Sequence, residues 1–433
     1  MGVIDELKTG LDRGREKAEE CQEREFFRLE RHSFYKSEPA SQLTRGDNLV
    51  YMKWLLDHGW RGRLRMIYID PPFFTRSKFD AAVQIRDAEG KVHRIKHLAY
   101  DDTFERNLEY YAANMTARLI LMKELLSDDG LIWVHLDWHS SHYMKILMAE
   151  IFGAANFQNE IIWKYKSGGS GRRHFSRKHD TILVYSKTKN YYLNVPKEKS
   201  YNRGLRPYRF KGVKEYRDEY GWYTMVNMKD VWSIDMVGRT SKERNGYATQ
   251  KPLELMTRIV EASTEKGDCC GDFFCGSGSM LEAAERAGRT WIGCDIEELG
   301  ISAARKRLDN IMAEYDCYGA ERIKPGGLRL DFVQAEELEN GKRLYTYRIA
   351  SFEPAIDYGH MSFKDRQLCD ALCREVPEHF IDYIMIDPDY DGSFSAELLP
   401  EQPEREIKFI SHGDFAVKVV DVFGKEYFYD GRE

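Results

Sequence analysis

No stretch of this 433-residue chain approaches the ~18 consecutive apolar residues that a membrane span needs. The apolar residues around 119 to 126 are interrupted by Lys123 and Glu124 and read as one face of an amphipathic surface helix. A secretory leader is also missing, because no cationic start runs into an apolar core, and Glu6 stands where an N-myristoylation signal wants Ser or Thr. The expectation is a cytoplasmic protein with no membrane partner. Cysteine is sparse: the eight residues are expected to stay reduced, and no second pair at zinc-finger spacing accompanies Cys369 and Cys373, so no metal site is expected. Asp387, Asp389, Asp391 and Gly392 imitate the start of a calcium loop, but Pro388 fills its second position and Leu398 stands where a twelfth-position Glu belongs.

With 42% hydrophobic residues, the chain has material for a sizeable core and two or three domains. A net charge of −6 argues against nonspecific adhesion to polyanions, yet the charge is unevenly spread. Residues 164–217 hold 16 Lys and Arg against 3 Asp and Glu, whereas residues 331–433 hold 11 against 23. The first segment interleaves its cations with aromatics, from Arg172, Arg173 and Phe175 through Arg177 and Lys178 to Tyr201, Arg203, Arg206, Tyr208 and Arg209. Such a surface neutralises phosphates.

Five regions follow. Residues 1–36 form an N-terminal arm in which 3–31 read as one charged helix, with Leu7, Leu11, Ala18 and Cys21 at helical spacing. Residues 37–163 alternate helix and strand signals: a turn at Gly46-Asp47-Asn48, a strand over 64–69, a polar loop over 75–103, a helix from Tyr110 to Leu126, and a strand from Leu131 to Leu136. Residues 164–246 are the basic insertion, residues 247–312 resume the helix and strand alternation, and residues 313–433 make a small acidic accessory domain. Helices alternating with apolar strands predict an α/β fold in which both halves share one parallel sheet.

Two loops carry the chemistry. After the strand that ends at Ile69 comes Asp70-Pro71-Pro72-Phe73, and after a second short apolar stretch comes Phe274-Cys275-Gly276-Ser277-Gly278 at the start of an alanine-rich helix. Gly276 and Gly278 carry no Cβ and so let backbone approach a ligand closely. Asp295, at the end of the next strand, is placed to accept hydrogen bonds from ribose hydroxyls, with Glu297 as the alternative. A dinucleotide fingerprint fails at its third glycine, where Leu281 stands. A methyl donor such as S-adenosylmethionine suits the pocket better. The Asp70 turn then suits an exocyclic amino group, whose lone pair is delocalised into its ring. The Asp70 carboxylate on one N–H and the Pro71 carbonyl on the other would draw that nitrogen toward a tetrahedral state, with Phe73 stacked on a base flipped out of its duplex. Such transfer needs no strong base, so His179-Asp180 reads as a pair that caps the following strand or faces backbone.

These landmarks, with Tyr100-Asp101-Asp102, Leu131-Ile132-Trp133-Val134, Tyr247-Ala248-Thr249-Gln250-Lys251-Pro252 and Trp291-Ile292-Gly293-Cys294-Asp295, occur in an order that resembles the β-class DNA amino-methyltransferases over roughly 42–312. The chain is similar to modification subunits of type III restriction systems and to related adenine-specific enzymes. The resemblance implies a class I S-adenosylmethionine-dependent methyltransferase fold, Rossmann-like and circularly permuted, with an inserted target-recognition domain. It implies catalysis by Asp70, Pro71, Pro72 and Phe73. For S-adenosylmethionine it implies Asp272, Phe274, Gly276, Ser277 and Gly278 at the methionine part, Lys251 beside the methionine carboxylate, Asp295 on the ribose and Asp47 near the adenine. Asp rather than Ser at position 70 is the form more usual for adenine N6 than for cytosine N4. Departures from the pattern are Phe73 for Tyr, Phe74-Thr75 for Asn-Thr, Phe273 for Pro and Ser279 for Thr. The implied partner is double-stranded DNA, read through Arg172, Arg173, Arg177, Lys178, Arg203, Arg206 and Arg209. A homodimer or a restriction or defence-system subunit are further partners the resemblance allows. Alternatives are a noncatalytic DNA-binding subunit of a defence or modification complex, or methylation of cytosine N4 or of RNA.

Overall fold

The computed structural model describes residues 2–22, 24–35, 40–75, 78–101, 107–166, 173–238, 241–247, 249–320, 327–338, 341–359, 361–397 and 406–432. Both expected halves contribute to one sheet of eleven strands. Across it run Val231–Ser233, Phe157–Lys164, His179–Ser186, Leu126–Leu136, Leu64–Ile69, Cys269–Asp272, Thr290–Asp295, Ser41–Arg45, Tyr315–Gly319, Phe27–His32 and Ser395–Ala396. The six from Leu126–Leu136 to Tyr315–Gly319 are parallel, and His179–Ser186 runs antiparallel beside them. This is the expected Rossmann-like α/β fold. Its central strands are apolar on both faces because both faces are covered. Ile67 and Ile69 face the helices Asn48–Asp57, Leu108–Leu125 and Ser141–Phe152, while Met66 and Tyr68 face Leu253–Ser263, Ser279–Arg286 and Glu298–Asp309. Chain order reverses between Leu64–Ile69 and Cys269–Asp272, and a crevice at the carboxyl ends of the strands forms at such a reversal.

Three elements differ from expectation. The N-terminal helix covers only Val3–Glu19, and Phe27–His32 is a strand antiparallel to Tyr315–Gly319. Charge hid that strand: its buried side chains are Glu30 and His32, which face an ionic cluster instead of a hydrophobic core. The helix itself is docked, with Leu7, Leu11 and Ala18 buried. It approaches Leu108–Leu125 so closely that a Cβ on Gly10 or Gly14 would lie 2.6 Å from Ala112 or 2.4 Å from Thr116.

The polar loop over 75–103 is in fact an antiparallel hairpin, Lys78–Arg86 with Val92–Asp101. Its apolar residues Val83, Ile85 and Ile95 are buried among accessory-domain side chains such as Leu330, Phe352 and Phe409, which are remote in sequence. In the basic insertion, Lys197–Tyr201, Glu215–Asp218 and Gly221–Asn227 form a separate small sheet, while His179–Ser186 and Val231–Ser233 belong to the central one.

The acidic C-terminal region folds as two three-stranded sheets and the helix Phe363–Glu375. Buried ions join it to the rest: Arg305 bonds Glu30 at 2.8 Å and Glu426 at 2.7 Å, and Lys418 pairs with Glu30. Glu30, His32 and Cys317 lie close enough to share a metal ion, but Glu30 is already held by two cations. The Asp387 side chain bonds the backbone N–H groups of Ser395 and Asp389, which makes it a turn former. All eight cysteines are free thiols, and no helix among the described residues is long and apolar enough to cross a membrane.

Candidate active site

The reversal brings the two loops onto one cavity of about 270 Å³. Asp70, Pro71, Pro72 and Phe73 line it, as do Asp47, Lys251, Asp272, Phe274, Gly276, Ser277 and Asp295. Each sits at or just past the end of a parallel strand, except Lys251, which enters from the segment ahead of Leu253–Ser263. Gly278 does not line the cavity. It adopts φ +73° at the start of Ser279–Arg286, and a Cβ there would meet Ala304 at 3.0 Å, so its role is to let two helices pack. Gly276 at φ +46° faces the Tyr247 ring, 3.4 Å from where its Cβ would be. Arg172 lies outside the described residues, as does Asp102 of the Tyr100-Asp101-Asp102 landmark.

Lys251, which the resemblance puts beside the methionine carboxylate, lines the cavity with its ammonium paired to Asp70 and 5.8 Å from the centre of the Phe73 ring. One Asp70 oxygen takes that bond. The other, Oδ1, is inaccessible and has no hydrogen-bond partner among the described residues.

Acids dominate the lining: Asp47, Asp70, Asp272, Asp295 and Glu297 stand against Arg118 and Lys251. Burial pushes the Asp272 carboxyl well above the usual range, against the bond it accepts from the Phe274 N–H at 3.1 Å. Burial likewise raises Asp295, although its two oxygens accept the N–H groups of Gly276 at 2.8 Å and Glu297 at 2.9 Å. Those bonds fix the glycine loop to the neighbouring strand and use one acceptor site on each Asp295 oxygen. Glu297 is the freer acceptor. Its carboxyl makes no hydrogen bond among the described residues and is pushed up to about 7 by burial and by its neighbours Asp295 and Glu298. Asp47 caps the helix Asn48–Asp57 through the Leu49 N–H and accepts Arg118 at 3.1 Å. Arg118 also donates to Asn48 at 2.6 Å, and Asn48 donates to the Phe273 carbonyl, which ties the first half to the glycine loop.

Sequence reasoning missed Arg118, whose signal was a lone cation amid the apolar residues of Leu108–Leu125, and it missed His135. His135 is fully buried. It bonds the Tyr68 hydroxyl through Nδ1 at 2.9 Å and Asp180 through Nε2 at 3.2 Å. Expected to cap its strand or face backbone, Asp180 instead meets side chains on neighbouring strands, and Tyr165 donates to its other oxygen at 3.0 Å.

Outside the cavity, Arg173, Arg177, Arg203, Arg206 and Arg209 are exposed, Lys178 is half-buried, and Arg177 lies 3.8 Å over the Trp138 ring. Phe175, at 98% exposure, stands between Arg173 and Arg177.

Residues 64–306 match the family model described as DNA methylase, of N6 and N4 type. The chain is 30% identical to the type II methyltransferase M.EcaI of Enterobacter cloacae over 322 residues, which cover 60% of this chain and 68% of that protein. It is 29% identical to M2.DpnII of Streptococcus pneumoniae over 56% of this chain and 82% of that one. Among solved structures, M1.HpyAVI with S-adenosylmethionine is similar at 17% identity and a TM-score of 0.40, covering 62% of this chain and 98% of that one. The cytosine-N4-specific PvuII methyltransferase is similar at 14% and 0.42, over 65% and 90%. With more than half its length matched by the family model, and with its two motif loops meeting in one cavity, the chain belongs to the N6/N4 DNA methylases.

Proposed function

We propose that the chain transfers a methyl group from S-adenosylmethionine to N6 of an adenine flipped out of duplex DNA. The observation that carries this reading is Asp70: a half-buried carboxylate, anchored on one oxygen by Lys251 and with the other, Oδ1, inaccessible and unpartnered among the described residues, in a proline-stiffened turn that shares its cavity with the glycine loop. The lining fits the cofactor, because five acids against two cations favour a ligand with a cationic sulfonium. Asp295 and Glu297, side by side in the lining, are the groups to accept ribose hydroxyls, Glu297 being the freer of the two, and Gly276 leaves room for close backbone approach.

When bound, the cofactor supplies an electrophilic methyl group. The chain does the rest by orientation and charge. Asp70 Oδ1 accepts one amino N–H and the Pro71 carbonyl the other, Lys251 fixes the Asp70 rotamer, and Phe73 offers a stacking face. The exposed arginines of the basic insertion neutralise backbone phosphates, and unstacking the target base is the step they support. Asp at position 70 supports adenine N6 over cytosine N4.

The test is transfer of labelled methyl from S-adenosylmethionine into unmethylated genomic DNA, followed by nucleoside mass spectrometry. N6-methyladenine is the expected product. N4-methylcytosine, or label in RNA alone, would replace this reading.

A further inference from the structure

We propose that Tyr68, His135 and Asp180 form a proton relay that carries away the proton the amino group loses on methylation. The inference rests on the function proposed above. It begins from a chain of buried polar groups that amino-group alignment by Asp70 leaves unused.

The polarity of the chain is set by its far end. Asp180 is an acceptor, and it receives the Tyr165 hydroxyl on one oxygen at 3.0 Å and His135 Nε2 on the other at 3.2 Å. Nε2 must therefore carry the imidazole proton, so in the neutral ring Nδ1 bears the lone pair and accepts the Tyr68 hydroxyl at 2.9 Å. Among the described residues that hydroxyl makes no other hydrogen bond, and Tyr68 lines the cavity. It lies two residues before Asp70, on the strand that delivers the catalytic turn. His135 also packs beside Phe73, with ring centres 6.0 Å apart, and edge-on to Trp163 at 5.3 Å. The chain thus runs from the wall of the cavity into the sheet through four of its strands or strand ends.

In the transfer, the amino nitrogen forms a bond to the methyl carbon while the sulfur–carbon bond breaks, which leaves the nitrogen with a positive charge and two hydrogens. One must leave. Placing it on Asp70 would break the ion pair with Lys251. Along the relay, Tyr68 takes that proton on its oxygen and passes its own to His135 Nδ1. The product is an imidazolium already facing the Asp180 carboxylate. Burial opposes the charge on Asp180, but the bond from His135, the nearby Lys251 charge and the Tyr165 bond outweigh it and hold the carboxyl below its usual range. Asp70 and Asp272 face Tyr68 from the cavity side and, with burial, oppose a phenolate, which suits a hydroxyl that passes protons without ionising.

The test uses the full chain with Tyr68→Phe, which removes only the hydroxyl, and Asp180→Asn, which keeps the shape and removes the charge. Single-turnover methylation is expected to slow roughly 10-fold or more in both, with calorimetric cofactor affinity and DNA affinity within about twofold of wild type. Because protons move along the relay, the wild-type single-turnover rate is expected to fall in deuterium oxide, and that solvent isotope effect is expected to shrink toward one in Tyr68→Phe. Unchanged rates in both variants, or slower rates with weakened affinity and an unchanged solvent isotope effect, would overturn the relay while leaving the methyltransferase reading intact. A wild-type protein that methylates no nucleic acid would overturn both.

Discussion

Two clusters of buried charge in this molecule are built on opposite plans. At the junction with the C-terminal region, Glu30, Arg305, Lys418 and Glu426 are all but inaccessible and bonded to one another, and His32 is held between Glu30 at 3.1 Å and Asp309 at 2.8 Å. Burial there opposes every charge, yet the partners prevail: Glu30 is held well below the usual carboxylate range and His32 well above the usual imidazole range. In the cavity, burial wins. Asp272, Asp295 and Glu297 are all raised, and Asp70 keeps a vacant oxygen. Charges that satisfy each other hold a structure together. Charges left unsatisfied await a ligand.

The largest effect should come from the vacant carboxylate. Asp70→Ala is expected to lower single-turnover methyl transfer by about 10²–10³-fold or more, the scale for losing a group that aligns and stabilises the transition state, while cofactor affinity changes only a few fold. Near-wild-type turnover in that variant would break the contrast from the cavity side. From the junction side, Glu30→Gln leaves Arg305 and Lys418 with only Glu426 between them and should cost about 3–5 kcal/mol in denaturant unfolding. A loss within the scatter of surface substitutions would mean that the junction does not bear on stability.

The same cluster predicts a pH window. The Glu30 contribution is present above the ordinary carboxylate range and is lost as pH falls through its depressed value, whereas the His32 contribution is complete below the ordinary imidazole range and is lost as pH rises through its raised value. Unfolding midpoints of wild type across pH should therefore fall away on both sides, and His32→Gln should remove the decline on the alkaline side. Smallest is the effect at the basic insertion. Replacing Arg203 and Arg206 by Gln should weaken DNA binding at low salt and reduce the salt slope by about one unit for each phosphate no longer neutralised.

The cavity loops were legible because their signals are local. Asp70-Pro71-Pro72-Phe73 and the glycine loop each lie where an apolar strand ends, and the parallel sheet brings strand ends together. What escaped depends on distant partners. The hairpin over 78–101 reads as a polar loop until its Val83, Ile85 and Ile95 meet side chains more than two hundred residues away. Phe27–His32 reads as helix because its inward residues are ions, which make sense only beside Arg305 and Lys418. Lys251 was found by motif, but its pairing with Asp70 is a matter of side-chain reach. Asp180 drew notice for its neighbour His179, whereas its partner is His135, 45 residues earlier and on an adjacent strand.

The most direct test of the unsatisfied cavity is calorimetric titration of the full chain with S-adenosylmethionine at pH 7 in two buffers of unlike ionisation heat. A cationic ligand whose hydroxyls bond Glu297 should favour its charged form, so with that carboxyl at about 7 in the free protein, binding should release a fraction of a proton. Glu297→Gln should bind more weakly and reduce the release, the remainder coming from Asp272 and Asp295. Binding with no proton exchange in wild type, or no binding at all, would contradict the account.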